Sequence, residues 1–199
     1  MMVIIGKRGG QGVMAGFNRT ALRREIGKVQ RLCCLGLGGQ MLIPALIREL
    51  QAILPCYNAN FWWGGPHQGI SNVYVAIGNP EPISIYYEEF YQRRERDVWL
   101  TFAEGMRTLY PTAGDLYQRI LKVDRRDYFK SDLYNLVMRP LGGDQVLHRR
   151  FAEHGRGLGS LQLCRKSKES SFSANDCKLL DGIARFVAHG MTSAPRDQV

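Results

Sequence analysis

Leu22, Ile26, Val29, Leu32 and Cys33 recur at three- and four-residue steps, with Arg and Glu on the other face, and this predicts an amphipathic helix over residues 17–38. Asn18 or Thr20 can cap it, and Gly36, Gly38 and Gly39 stop it. Leu42, Leu46, Ile47, Leu50 and Ile53/Leu54 predict a second helix from Gln40 to Leu54. Pro44 falls in its expected first turn, where a missing N–H costs little, and Pro55 ends it. The period then changes from helical to alternating. Residues 57–63 read as a strand, Gly64-Gly65-Pro66 as a turn, and residues 71–77 as a second strand. In the latter Val73, Val75 and Ile77 share one face, and Asn72, Tyr74 and Ala76 the other, so the two strands predict an antiparallel pair.

Residues 78–140 are aromatic and predict helices at Pro82–Tyr91, Val98–Tyr110 and Asp124–Met138, with 116–122 open between strand and helix. Two strands follow, Asp144–Glu153 and Gly157–Arg165, joined by a turn at His154-Gly155-Arg156-Gly157. In the second, Leu161 and Leu163 share a face, and Ser160, Gln162 and Cys164 share the opposite one. Ser173 and Asp176 form a capping-box pattern with Phe172 as a staple, and Leu179, Leu180, Ile183, Val187 and Met191 give the stripe of a last helix. Antiparallel strands with helices set beside them predict an α+β fold.

The order and spacing of Ser131, Tyr134-Asn135, Arg139-Pro140, Gly142-Gly143, Gly159, Leu161, Leu163, Arg165, Phe172-Ser173, Asp176 and Leu179-Leu180 resemble the closing half of the GAF-like sensor domains of LuxR-class transcription regulators. The resemblance implies a GAF/PAS-like antiparallel sheet, with the terminal helices on one face and a helical, aromatic segment over the other. It implies a non-catalytic, cytoplasmic domain of transcription control that senses a small molecule or a protein partner. It implies a homodimer, and DNA contact only through a C-terminal helix-turn-helix domain absent from this chain. The expected organisation is a flexible leader over 1–16, a sensor domain over 17–191, and a flexible tail or linker start over 192–199. Met14 competes with Met1 as the start.

Composition narrows this picture little. Hydrophobic residues make up 45% and charged residues 23%, as in an ordinary globular domain. A net charge of +9 favours an anionic partner, but the bases come as scattered pairs that read as a solvated surface. No apolar run is long enough to span a bilayer. The five cysteines show no C-x-x-C spacing and read as single buried thiols, so no metal or redox cofactor is expected.

The search for chemistry is mostly negative. The four histidines are scattered, and His148 reads as a surface strand residue. No G-x-S-x-G elbow, H-E-x-x-H or phosphate loop is present. The aromatic cluster between residues 62 and 99 is the positive signal, because small-molecule pockets are apolar with a few orienting polar groups. In GAF-like folds the ligand lies between one sheet face and the helical middle. With Val73 and Val75 packed on the terminal helices, Tyr74 points into that chamber. The expected ligand-binding residues are Trp62, Tyr74, Tyr87, Trp99, Ser160 and Gln162; the ordinary alternative is that they are core. The expected dimer residues are Leu22, Ile26, Val29, Ile183, Val187 and Met191. Two other functions compete: a thiol-dependent reductase on the GAF scaffold using Cys33, Cys34 or Cys56, and a stand-alone DNA-binding module with two helices over Tyr117–Leu136.

Overall fold

The computed structural model describes residues 3–5, 19–65, 67, 69–108, 115–116 and 120–193. Met14, the cap candidate Asn18, the tail from 194 and the leader other than Val3–Ile5 lie outside them. Six strands form one sheet in the order β1-β3-β2-β6-β5-β4. They are β1 (Val3–Ile5), β2 (Asn58–Gly64), β3 (Ile70–Val75), β4 (Asp115–Leu116), β5 (Gln145–Glu153) and β6 (Arg156–Arg165). All neighbours are antiparallel except β1 and β3. The four strands read from the sequence therefore share a sheet. The β5–β6 turn is His154-Gly155, both at positive φ (49° and 76°), as a tight hairpin requires.

Register sorts the side chains. Trp62 lies opposite Val73 and Ser160, Asn60 opposite Val75 and Gln162, and Gln162 opposite His148. That face packs against the helical middle. Phe61, Tyr74, Leu147, Phe151, Leu161 and Leu163 fill the other face, under α1 (Arg19–Cys33), α2 (Gly38–Ile53) and α6 (Ala174–Thr192). There the Phe61 ring sits 5.0 Å from Trp63 and 5.9 Å from Phe151. α2 and α6 touch strands, and α1 packs on α2 and α6. No described helix is long and apolar enough to cross a membrane.

Helix starts follow caps. Asp176 N–H donates to Ser173 Oγ at 3.2 Å and Ser173 N–H to Asp176 Oδ2 at 2.8 Å, the capping box expected for α6. Phe172 is buried with the Arg165 guanidinium 3.9 Å from its ring centroid. A second box, unread in the sequence, sets α4 (Phe102–Thr108): Glu104 N–H donates to Thr101 Oγ1 and Thr101 N–H to the Glu104 carboxylate. The helix expected from Val98 therefore starts at Phe102, after a 3-10 turn at Arg94–Asp97 and a bridge pairing Trp99 with Leu121.

Other expectations need correction. The expected Asp124–Met138 helix is broken. α5 (Arg125–Lys130) ends at Ser131, whose extended backbone and hydroxyl start a new π turn, Leu133–Met138, by accepting from Tyr134 N–H. A local Ser cap has won over the continuous apolar period. α3 (Glu81–Ile85) runs directly into a π turn at Tyr86–Phe90. α1 stops at Cys33, before residue 38, and Thr20 lies inside it and does not cap it. α2 begins at Gly38, so Pro44 sits in the second turn and removes the bond that the Gln40 carbonyl would receive.

Candidate functional site

Between the sheet and the helical middle runs a narrow cleft. β2, β5 and β6 supply its floor, with Trp62, His148, Arg150, Ser160 and Gln162. Tyr86, Trp99, Leu100, Phe102, Ile120, Val137 and Met138 form the roof, and Ile70 one edge. Its empty space is about 510 Å³ including the open mouth, of which about 40 Å³ admits the centre of a water-sized sphere. That is room for roughly three waters. A larger guest has to displace roof side chains.

The roof is pinned from behind by a carboxylate. Glu95 is 0% exposed, and its Oε2 accepts from Tyr86 Oη at 2.5 Å and Trp99 Nε1 at 3.2 Å. Its Oε1 accepts from Gln92 N–H at 2.8 Å. Burial, and then the Glu95 charge, push the Tyr86 phenol well above its ordinary pKa, so it remains a donor. Tyr86 meets Trp62 edge to face at 5.2 Å. On the floor, Trp62 Nε1 donates to Gln162 Oε1 at 3.2 Å, which leaves the Gln162 amide N–H groups for other acceptors. The Arg150 guanidinium lies flat on Gly105 of α4; a Cβ there would come within 2.5 Å of Nη2.

His148 is 5% exposed, and its Nδ1 has no hydrogen-bond partner among the described residues. Burial, then the nearby Arg150 and Arg149, hold its pKa well below the ordinary value, so the imidazole is neutral in the folded chain. The unfolded chain takes up this proton near pH 6.5 and the folded chain does so only lower, so stability is full above that pH and falls as pH drops below it. Unfolding free energy should fall by about 1.4 kcal/mol between pH 7.5 and 5.5 from this group. Asp144, Glu104 and Glu25, whose pKa values are lowered from 3.8, 4.5 and 4.5, act below this window. Urea titrations of the chain and of His148→Phe at the two pH values check this; an equal fall in both would refute it.

The structure places Trp62, Trp99, Ser160 and Gln162 in the lining of the cleft. Tyr74 is a correction: the pairing of Trp62 with Val73 puts Val73 and Val75 under the helical middle and Tyr74 under the terminal helices. Tyr87 packs against Tyr86, Tyr91 and Trp62 at 5.6, 5.2 and 6.4 Å, behind the lining. His148 and Arg150, both expected on the surface, belong to the floor. Their parity with the buried Val146 was the available signal. Of the expected dimer residues, Val29, Ile183 and Val187 are at most 1% exposed and lie wholly inside the monomer core. Only the half-buried Leu22, Ile26 and Met191 keep surface.

The described cysteines are all free, and Cys34 is exposed, against expectation. Burial pushes Cys33 up to about 11, Cys56 to about 12, and Cys164 upward as well, which disfavours the thiolate that thiol chemistry needs. The two helices considered for DNA binding do not form a pair. Ile120–Val123 is turn, bridge and bend, and only the six-residue α5 follows Asp124 before the Ser131 break.

No family model matches the sequence, and no curated protein matches it. Solved structures do. The N-acylhomoserine lactone dependent LuxR family transcription factor CepR2 from Burkholderia cenocepacia aligns with TM-score 0.57 at 10% identity, over 86% of this chain and 93% of that one. The VqsR LBD domain from Pseudomonas aeruginosa gives 0.53 at 17% identity, over 87% and 95%. The phycoerythrobilin-bound GAF domain of a cyanobacterial phytochrome gives 0.53 at 10%, over 90% and 97%. At such identities the likeness is one of fold. This chain has the α+β fold shared by GAF domains and LuxR-type sensor domains.

Proposed function

We propose that this chain is a non-catalytic, cytoplasmic sensor domain of transcription control, which binds a small molecule between its sheet and its aromatic roof. The observation that carries the reading is the cleft itself: a polar floor on a rigid sheet, under aromatic side chains held from behind by Glu95. Solved proteins of this fold include one named as N-acylhomoserine lactone dependent and one bound to phycoerythrobilin. The floor is rich in donors: the Arg150 guanidinium, the Ser160 hydroxyl, one His148 nitrogen and the Gln162 amide. Among the described residues no carboxylate lines it. The ligand is therefore an aryl or acyl compound with an acceptor-rich head, a carboxylate or carbonyl group. Occupancy parts the roof, and the sheet passes the change to the terminal helices; about 1–3 kcal/mol of differential affinity makes a switch.

The test is thermal unfolding with a panel of small aryl and acyl carboxylates, each beside its primary amide. A binder at a hundredfold excess over Kd stabilises by about 2.7 kcal/mol, which raises Tm by roughly 5–10 °C for a chain of this size. Ser160→Phe fills the floor and should abolish the rise. A rise that survives Ser160→Phe places the ligand elsewhere and contradicts the reading.

A further inference from the structure

The outer surface of the terminal helices is predominantly basic. Among the described side chains of α1, α2 and α6, the exposed charged ones are Arg23, Arg24, Lys28, Arg31, Arg48, Lys178 and Arg185, all basic. The acids of these helices are less exposed, Asp176 and Asp181 keeping 24% and 29% of their side-chain surface, and most are already used. Glu25 is 7% exposed and holds Lys28 at 2.7 Å and Arg24 at 3.3 Å. Asp181 binds Arg149 of β5 at 3.2 Å, and Asp176 closes the α6 cap with Arg165 4.0 Å away. Glu49 is half-buried. Arg23, Arg31, Arg48, Lys178 and Arg185 form no ion pair among the described residues. Since α1, α2 and α6 cover one face of the sheet, with α1 packed across α2 and α6, these five exposed bases belong to one layer of the molecule.

From this distribution we infer that the outer face of α1, α2 and α6 is a docking surface for the phosphate backbone of double-stranded nucleic acid. Four of the five uncompensated bases are arginines, whose planar fork matches phosphate oxygens two at a time. α1 is roughly 22 Å long, and that length of duplex carries roughly 13 negative charges. A second copy of the chain fits poorly, because a two-fold contact sets the same bases against themselves. A lipid surface fits poorly too, since an interfacial helix needs an apolar exposed face. Among the described residues the large exposed hydrophobics of this layer are Leu35, in the α1–α2 turn, and Met41, in the first turn of α2. Single strands need several exposed rings for base stacking, and among the described residues these helices offer only His189, since Phe186 is half-buried beneath Arg185. Such contacts read the backbone and carry no sequence preference of their own.

The experiment is fluorescence anisotropy of a labelled mixed-sequence duplex of about 20 base pairs, titrated with the full chain at several salt concentrations. With three to five phosphates engaged, Kd should rise roughly 40- to 500-fold between about 50 and 200 mM salt. Arg23→Glu/Arg31→Glu/Arg185→Glu, all at exposed positions, should abolish binding without changing Tm. Arg93→Glu/Arg125→Glu, outside this layer, should leave it within about twofold. Absence of duplex binding at the lowest salt overturns the inference. So does binding that the triple variant retains, or capture of the chain by phosphatidylserine vesicles with no affinity for the duplex. None of these variants touches the cleft, so failure here leaves the sensor reading standing.

Discussion

Replacing Glu95 by alanine should cost about 3–5 kcal/mol, a large fraction of the roughly 5–15 kcal/mol by which a domain is stable. The substitution strips Tyr86 and Gln92 of their acceptor and Trp99 of one, and the Tyr86 and Trp99 donors are buried. Hydrogen bonds to a charged group contribute about 1.5–3 kcal/mol each, and buried donors left without an acceptor keep their desolvation cost. Gln92 adds to the loss: its φ of 59° is held by the Glu95 contact, and it marks the turn where the roof changes direction. Glu95→Gln keeps the size and one acceptor oxygen, so it should lose only about half as much. Urea unfolding of both variants measures this. Equal, small losses would mean that the carboxylate does not hold the roof.

Gly142→Val should destabilise by about 2–5 kcal/mol, from a left-handed backbone cost of about 1–2 and a steric cost of about 1–3. Gly142 has a φ of +75°, and a Cβ there would lie 2.1 Å from Cδ1 of Tyr57. The Lys166 ammonium lies 3.7 Å from the Tyr57 ring centroid, so a retreating ring also disturbs that contact. Removing the ring separates the two causes. In a Tyr57→Ala background the steric part vanishes and the backbone part stays, so the double-mutant cycle should show a coupling of at least about 1 kcal/mol. Strict additivity would refute the steric account.

The contrast between what was legible and what was not follows from which residues the motif contains. The Ser131-to-Leu180 pattern proves to be the joint of the fold. Ser131 breaks the helix, and Tyr134 Oη donates to Asp144 Oδ1 at 2.5 Å. Burial works to raise the Asp144 carboxyl, but the bonds from Tyr134 and from Ser167 N–H outweigh it and hold it low. Gly142 fits against Tyr57, Gly143 N–H reaches the Met138 carbonyl, and Arg165 covers Phe172 while binding the Pro55 and Ser170 carbonyls. These are packing constraints, so they announce the architecture and say nothing about a ligand.

The cleft was legible only where one strand face was settled. Leu161 and Leu163 fixed β6, and Ser160 and Gln162 followed by alternation. In β3 both faces are buried, so Val73 and Val75 look like core on either side; register against β2 decides, and register is a property of two strands. His148 and Arg150 were lost for a related reason: bases on a strand read as solvent-facing, although the helical middle covers that face as well. Trp99 reached the roof through a strand-like bridge to Leu121 and not from a helix, so its placement owed nothing to helical period.

The chain's three tryptophans supply the decisive measurement. The Trp62 and Trp99 indoles face the cleft from floor and roof, whereas Trp63 lies in the opposite core beside Gly39. A ¹H–¹⁵N spectrum of the three indole N–H groups, recorded during titration with the panel compound that raises Tm most, reads the cleft against an internal control. The sensor reading predicts that the Trp62 and Trp99 signals shift together and further than Trp63; three unmoved signals at saturation, or a shift of Trp63 alone, would contradict it.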